Sequence, residues 1–221
     1  MIVLHHCVGA RSFRVLWTLE ELQVPYELVM LPFPPRVHVP QYLEINPAGT
    51  VPTLQDGNVR MTESVAICQY LAEQHGGKAL TVASDDPAYA PYLNYLYFGE
   101  ATLTFPQTLI LRYGRYESPE RRAPQVVDDY TRWFFARLKT IEPIVGAHAF
   151  LCGGRFTLAD ISVGYALLLA DYLDISGSFK PHTKEFWLRL NARDAFQRAL
   201  ASEKGAAAKQ GIAATPAPLA R

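Results

Sequence analysis

The chain is poor in cysteine. Cys7, Cys68 and Cys152 are its three cysteines among 221 residues, an odd number at wide spacings. A disulfide framework needs an even set, and a structural zinc site needs clustered ligands, so neither is indicated and no metal is predicted. We therefore expect reduced thiols in a cytoplasmic protein.

The chain also has no net charge, because 21 Lys and Arg residues balance 21 Asp and Glu residues. A protein without an excess of positive charge has no overall field that gathers nucleic acid or an anionic membrane surface. Neither nucleic acid nor a membrane is therefore predicted as a partner. Small molecules and other proteins remain as candidate partners.

A long hydrophobic run is missing as well. The longest strongly apolar stretch, near residues 163–170, lies between Asp160 and Asp171. It is far shorter than the roughly 20 residues that span a bilayer. The apolar residues at the start of the chain are too few for the core of a secretory signal. These absences predict a protein that neither enters a membrane nor is exported.

What the sequence does have is enough apolar residues for a sizeable core, 49% of the chain. The first part shows strand and helix patterns in turn: a strand at 2–5, a helix at 14–22, a strand at 26–31, a hairpin at 53–62 and a helix at 63–75. A helix between two strands makes them parallel, and a hairpin adds an antiparallel pair. We therefore predict a mixed sheet.

Strand patterns end before residue 88. From there on, periodic apolar residues predict helices, chiefly at 88–111, 125–148 and 158–173. The second domain should therefore be all-helical.

The stretch between residues 78 and 88 contains turn-forming residues and marks the domain boundary. We predict the fold class α/β plus all-α, with an α/β domain at 1–78 and a helical domain at 88–204. The Ala-, Pro- and Gly-rich end at 205–221 is predicted to be a flexible tail.

The segment that ends in Val51 and Pro52 places a proline directly before a strand. An X-Pro bond adopts the cis form at a cost of roughly 0.5 to 1 kcal/mol. A cis Val51–Pro52 bond would turn the backbone N–H and C=O of Val51 outward, where they could pair with an extended, peptide-like ligand. An ordinary strand start is the alternative.

Glu63 and Ser64 open the last helix of the first domain. Unpaired N–H groups and the helix dipole favour an anion there, and a Ser hydroxyl adds a donor. Ser64 is thus a candidate to hold a carboxylate, and Glu63 an ammonium group, which suits the amino-acid end of a γ-glutamyl ligand. The alternative is a helix start with ordinary first-turn residues.

In this order, the features resemble the amino-terminal domain of cytosolic, bacterial-type glutathione transferases. The resemblance is carried by Arg11 to Trp17, Asn46 to Pro52 and Glu63-Ser64. Farther on, Leu151 to Ile161 is similar to the family's buried helix-start motif, so the resemblance extends to about Glu203. It implies a thioredoxin-like first domain, a helical-bundle second domain and a homodimer.

The resemblance implies glutathione as a substrate, with its cysteinyl part against Val51 and Pro52 and its γ-glutamyl carboxylate on Ser64. The glycine end would point toward His38, although a plain surface histidine is an equal alternative. The implied partner substrate is a small hydrophobic electrophile.

The loop after the first strand departs from the family pattern. A thiolate is the reactive form of the sulfur, and many members stabilise it with a Ser or Cys where this chain has Gly9 and Ala10. Ser12 is the nearest hydroxyl, and an N-cap role is predicted for it ahead of a thiolate-donor role. The loop N–H groups and the Arg11 charge are further candidates to stabilise the sulfur. Cys7 is predicted to be a core residue.

The leading functional prediction is a glutathione transferase that adds the glutathione thiolate to the electrophile. The alternatives are another glutathione-dependent enzyme, such as a reductase, dehalogenase or isomerase, and a non-catalytic binding or interaction protein with this fold. Thr157 and Asp160 have the spacing of a reciprocal helix-start box and are predicted to be structural.

Overall fold

The computed structural model describes residues 1–152 and 154–220. They form two compact units, residues 1–81 with 191–220 and residues 82–190. Gly153, in the predicted helix-start motif, and Arg221, at the end of the predicted tail, lie outside the described residues.

A four-stranded mixed sheet lies at the centre of the first unit. Its strands are β1 (Ile2–His6), β2 (Tyr26–Met30), β3 (Thr53–Asp56) and β4 (Val59–Met61). They lie in the order β2-β1-β3-β4, with β1 parallel to β2 and the other two pairs antiparallel. The sheet predicted from the sequence, and the thioredoxin-like fold that the resemblance implied, are confirmed.

Four helices accompany these strands: α1 (Phe13–Leu22), α2 (Pro35–His38), α3 (Tyr42–Ile45) and α4 (Ser64–Gln74). The periodic apolar face of α1 buries Val15, Leu16 and Leu19. The helix ends at Leu22, and the C-cap residue Gln23 that follows has a left-handed backbone.

The second unit is helical, as predicted. It contains α5 (Tyr89–Tyr97), α6 (Phe105–Leu111), α7 (Pro124–Leu138), α8 (Glu142–Ala147), α9 (Leu158–Tyr172) and α10 (Pro181–Asn191). A π-helical segment, Phe98–Thr104, joins α5 to α6. The single helix predicted at 125–148 is divided between α7 and α8, since Pro143 lacks an N–H and stands at the start of a new helix.

The carboxyl-terminal residues differ from the sequence prediction. Helix α11 (Asp194–Lys209) belongs to the first unit and packs against α1 and β2. The Phe196 ring lies edge-on to Trp17 at 4.9 Å between centroids, and Arg193 pairs with Glu21 at 2.7 Å. These contacts join residues far apart in the sequence, which local periodicity does not reveal. The predicted flexible tail includes the end of α11 and a short 3-10 turn, Ala217–Leu219, in which Ala217 is buried.

Candidate functional site

One edge of the sheet collects the predicted ligand-binding residues. β1 ends there and β3 begins there, since His5 lies opposite Thr53. β4 also ends there, because it runs antiparallel to β3. The loop of residues 7–12, the Val51–Pro52 segment and Ser64 at the start of α4 therefore lie along the same edge.

Val51 presents an unpaired backbone at this edge. The Val51–Pro52 bond is cis, and Val51 precedes β3, so it lies outside the strand ladder. Within the described residues its N–H and C=O have no hydrogen-bond partner. The neighbouring Thr50 is fixed, because its C=O accepts from Tyr42 Oη and Asn46 Nδ2, both at 2.8 Å. An unpaired backbone beside a fixed residue is suited to pair with an extended peptide.

Helix α4 begins without a side-chain cap. Glu63 holds the N-cap position, is exposed and makes no capping bond. Ser64 is buried, and its Oγ accepts a hydrogen bond from Arg14 Nη1 at 3.2 Å. The first-turn N–H groups of a helix have no intrahelical acceptors. This helix start therefore offers donors and partial positive charge to an anion such as a carboxylate.

The loop before α1 turns tightly at Gly9, whose φ of 66° lies in the left-handed region that favours glycine. The Ala10 N–H donates to the Cys7 C=O at 3.1 Å. The Ala10 N–H is one of the loop N–H groups predicted to stabilise the sulfur, but it is already used within the turn.

Ser12 holds the N-cap position of α1 but does not cap the helix. Its backbone is helical, with φ −61° and ψ −15°, and its side chain makes no capping bond. A capping side chain needs an extended backbone to reach the first-turn N–H groups. Ser12 is fully buried, and among the described residues its Oγ has no hydrogen-bond partner. Because a buried polar group without a partner costs roughly 1 to 3 kcal/mol, an acceptor supplied by a ligand would stabilise it.

The two basic candidates differ in setting. Arg11 is half-buried and held by an interaction within the protein, whereas His38 is exposed at the end of α2. Arg36, in the same short helix, packs on Gly49, where an added Cβ would lie 2.7 Å from the Arg36 Cβ. Helix α2 therefore places Arg36 beside the segment that leads to Val51.

Thr157 and Asp160 belong to the helical unit, where they close the start of α9 with a capping box. Asp160 accepts from the Leu151 N–H at 2.9 Å and from the Thr157 N–H at 2.8 Å, and Thr157 Oγ1 accepts from the Ala159 N–H at 3.3 Å. Burial raises the pKa of the Asp160 carboxyl to about 6, although these hydrogen bonds act in the opposite direction.

The three cysteine thiols are free and buried. Burial raises the pKa of Cys7 and of Cys152 to about 12, and that of Cys68 to about 11. A thiol needs a lowered pKa and access to react. Cys7 therefore behaves as a core residue rather than as a nucleophile.

Within residues 1–152 and 154–220, no group of three His, Cys, Asp or Glu side chains could hold a metal ion. No helix in that part of the chain is both long enough and apolar enough to traverse a bilayer.

Sequence reasoning missed two buried charged residues. Arg14 is completely buried on α1 and donates to Ser64; a cation amid an apolar helix face was the available signal. Glu203, 1% exposed on α11, accepts from the Gly9 N–H at 3.0 Å and is bonded to His6 Nε2 at 2.9 Å. No local sequence pattern predicts the contacts of Glu203, because its partners lie 194 and 197 residues away in the chain.

The fold and this edge define a class of protein: a thioredoxin-like domain with an unpaired backbone segment and an uncapped helix start, followed along the chain by a helical unit. Residues 4–79 match the family model described as "Glutathione S-transferase, N-terminal domain".

Similar proteins extend the match along the chain. "Glutathione S-transferase 3" of Schizosaccharomyces pombe is 28% identical over 206 residues, which cover 86% of this chain and 82% of the relative. The solved ternary complex of BphK, "a bacterial GST", has a TM-score of 0.80 at 27% identity and covers 91% of this chain and 99% of the other. A glutathione transferase of Phanerochaete chrysosporium, URE2P6, solved with oxidized glutathione, has a TM-score of 0.81 at 25% identity, covering 93% and 97%. Residues 4–79 thus match the N-terminal domain of glutathione S-transferases, and the chain is similar to proteins of that family along most of its length.

Proposed function

We propose that the protein is a glutathione transferase that conjugates the glutathione thiolate to a small hydrophobic electrophile. The observation that carries this proposal is the sheet edge at which the unpaired backbone of Val51 and the uncapped start of α4 lie together. The first can pair with a peptide and the second can hold a carboxylate. Glutathione contains both groups.

In this proposal the cysteinyl part of glutathione lies along Val51 and Pro52. Its γ-glutamyl carboxylate accepts from Ser64 and the first turn of α4, while its ammonium group faces Glu63. The glycine carboxylate points toward the basic side chains of α2, which include His38.

The sulfur reacts as a thiolate. An unperturbed thiol has a pKa of about 8.5, and lowering it by about two units needs roughly 2.7 kcal/mol of preferential anion stabilisation. We assign the main donor role to the unpaired hydroxyl of Ser12, with the Arg11 charge as a second contribution. Since Ser12 Oγ is covered by its surroundings, it reaches the sulfur by a change of side-chain rotamer or a small loop movement. The thiol proton leaves to solvent, and the thiolate forms a carbon–sulfur bond with the electrophile. In a substitution the leaving group departs with the electron pair of the bond that breaks; in an addition to a double bond, the pair of the broken π bond takes up a proton from solvent.

The match of residues 4–79 to the family model and the similarity to a transferase solved with oxidized glutathione support this assignment. A disulfide-exchange role for Cys7 is disfavoured, because burial raises the pKa of its thiol to about 12. A dehalogenase, an isomerase or a non-catalytic binding protein would use the same glutathione pocket. The homodimer that the resemblance implies and the cytoplasmic location that the sequence predicts stay predictions.

Calorimetric titration with glutathione tests the ligand, and product analysis with hydrophobic electrophiles tests the reaction. We expect saturable binding of reduced glutathione and formation of thioether conjugates. Binding without any turnover would favour the non-catalytic alternative, and oxidised glutathione as the main product would favour a reductase. Absence of binding would refute the proposal.

A further inference from the structure

The carboxyl-terminal segment holds one peptide group of the loop before α1 from both sides. The Val8 C=O accepts from the Ala217 N–H at 2.6 Å. The Gly9 N–H donates to Glu203 Oε2 at 3.0 Å. This C=O and this N–H belong to the same peptide unit, Val8–Gly9, so its orientation is fixed by residues that lie about two hundred positions farther along the chain.

Glu203 makes this contact inside the protein. It is 1% exposed, and the same oxygen is 2.9 Å from Nε2 of His6, which is itself completely buried. A buried carboxylate is strongly destabilising unless it is hydrogen-bonded. Both hydrogen bonds are directed at the end of β1 and the loop that follows it, so the carboxylate holds this loop rather than α11 alone.

The contacts of Glu203 and Ala217 with the Val8–Gly9 peptide, here called the clamp, lie at the proposed glutathione site. Ala217 is buried in one apolar cluster with Cys7 and Ala10, and Val51 packs against the same cluster. Ser12 is only three residues beyond Gly9. A rotation of the Val8–Gly9 peptide would therefore move the Ser12 hydroxyl and the loop relative to Val51.

We infer that Glu203, assisted by the Ala217 backbone, is a positioning residue for thiolate formation. It fixes the Val8–Gly9 peptide so that the loop stabilises the glutathione sulfur anion. This inference rests on the proposed function. It assigns a role in the site to α11 and to the segment predicted from the sequence to be a flexible tail.

Paired variants of Glu203 in the full-length protein test the role. Glu203→Gln keeps an oxygen that accepts both hydrogen bonds, whereas Glu203→Ala removes the acceptor. The pKa of the bound glutathione thiol is measured from the ultraviolet absorbance of the thiolate, and hydrogen exchange of residues 7–12 is measured without ligand. We expect Glu203→Ala to raise the thiol pKa by about one unit, which corresponds to about tenfold less thiolate near neutral pH. Hydrogen exchange of residues 7–12 should become faster. Glu203→Gln should stay within about half a unit of wild type.

A second pair of variants isolates the other side of the clamp without touching a buried charge. Ala217→Pro removes the N–H that bonds Val8, and a proline is tolerated at the first position of a helical turn. Ala214→Pro is the control, because Ala214 is exposed and its N–H has no partner among the described residues. We expect Ala217→Pro to shift the thiol pKa in the same direction as Glu203→Ala but by less, and Ala214→Pro to change nothing.

The outcomes separate the two proposals. A wild-type protein that does not bind glutathione would refute the proposed function. Glutathione binding with unchanged thiol pKa and unchanged loop exchange in Glu203→Ala would overturn only the positioning role. If Glu203→Ala does not fold, an effect of Ala217→Pro equal to that of Ala214→Pro would overturn it as well.

Discussion

The starts of α9 and α4 are two helix beginnings in one chain, and they treat their unpaired N–H groups in opposite ways. At α9 the side chains of Thr157 and Asp160 bond these groups and the preceding chain. At α4, Glu63 stands at the N-cap without capping. Because unpaired donors at a helix end need an acceptor, the first start is complete by itself and the second is left open to water or a ligand.

The same backbone feature serves folding in one unit and, in the proposed function, ligand recognition in the other. The start of α9 is buried with its own carboxylate, so a ligand has nothing to add there. The start of α4 lies at the sheet edge with Ser64 oriented by Arg14. At α9 the acceptor is a side chain of the protein, whereas at α4 it would be supplied by a ligand. Variants that remove an acceptor at α9 should therefore change stability, and variants that remove a donor at α4 should change binding.

We expect the largest effect from Asp160→Ala. The change leaves the N–H groups of Leu151 and Thr157, and the Thr157 hydroxyl, without their buried acceptor. An unsatisfied buried donor costs roughly 1 to 3 kcal/mol, so the free energy of unfolding should fall by roughly 3 to 5 kcal/mol in total. Chemical denaturation measures this loss.

Folded Asp160→Ala molecules should keep their glutathione affinity, since the site residues lie in the other unit. Thr157→Ser, which keeps the capping hydroxyl, is the control and should change stability little. Normal stability together with abolished glutathione binding would contradict the structural assignment of Asp160.

The pH dependence of stability should also carry the signature of Asp160. Its pKa is about 6 in the folded protein, raised from 3.8 by burial. A raised folded-state pKa means that protonation favours the native state. This contribution is complete below about pH 4 and is lost as the pH rises through about 6. The shift corresponds to a loss on the order of 2 to 3 kcal/mol.

Unfolding measured across this pH range on wild type and Asp160→Asn isolates the effect, because asparagine does not titrate. The difference in stability between the two proteins should shift in favour of the Asn variant as the pH rises. Parallel pH profiles for the two proteins would show that Asp160 has no raised pKa.

At the open helix start, Ser64→Ala should weaken glutathione binding by roughly 1 to 2 kcal/mol, because one donor to the carboxylate is lost. Calorimetric titration measures the change. Ser162→Ala is a matched control, since the Ser162 hydroxyl is buried and donates to the Leu96 C=O at 2.7 Å within the helical unit. The control should lower stability without altering affinity. Unchanged affinity in Ser64→Ala would remove Ser64 from the site.

Most of the fold was predictable because its signals are local. The hairpin at 53–62, the apolar periodicity of α1 and the Thr157–Asp160 spacing each depend on residues close in sequence. The position of α11 was not predictable in this way, because it rests on pairs such as Trp17 with Phe196 and Glu21 with Arg193. Periodicity finds a helix but does not reveal which surface the helix covers.

The candidate site follows the same division. Val51, Pro52 and Ser64 could be selected from short motifs. The buried Arg14 and Glu203 could not be assigned, because each acts on a partner that only the fold brings near. The predicted N-cap role of the Ser12 side chain is wrong. Capping depends on a backbone conformation that the residue type does not determine.

Ser12 stands at a third helix start, that of α1, and Ser12→Ala should give the smallest change in stability. The hydroxyl is buried without a partner, so its removal deletes no hydrogen bond and should leave the free energy of unfolding within about half a kcal/mol of wild type, or slightly raise it. If the hydroxyl donates to the sulfur, the pKa of the bound glutathione thiol should rise by about one unit. Thiolate absorbance against pH and chemical denaturation on the same preparation measure both quantities.

A capping serine would give the reverse pattern in Ser12→Ala, a loss of about 1 kcal/mol in stability with an unchanged thiol pKa. Because the Ala10 N–H is already bonded within the loop, an unchanged thiol pKa would mean that the Arg11 charge and the start of α1 stabilise the sulfur anion. This result would make α1 resemble α4, an open helix start that binds an anion through its backbone and dipole.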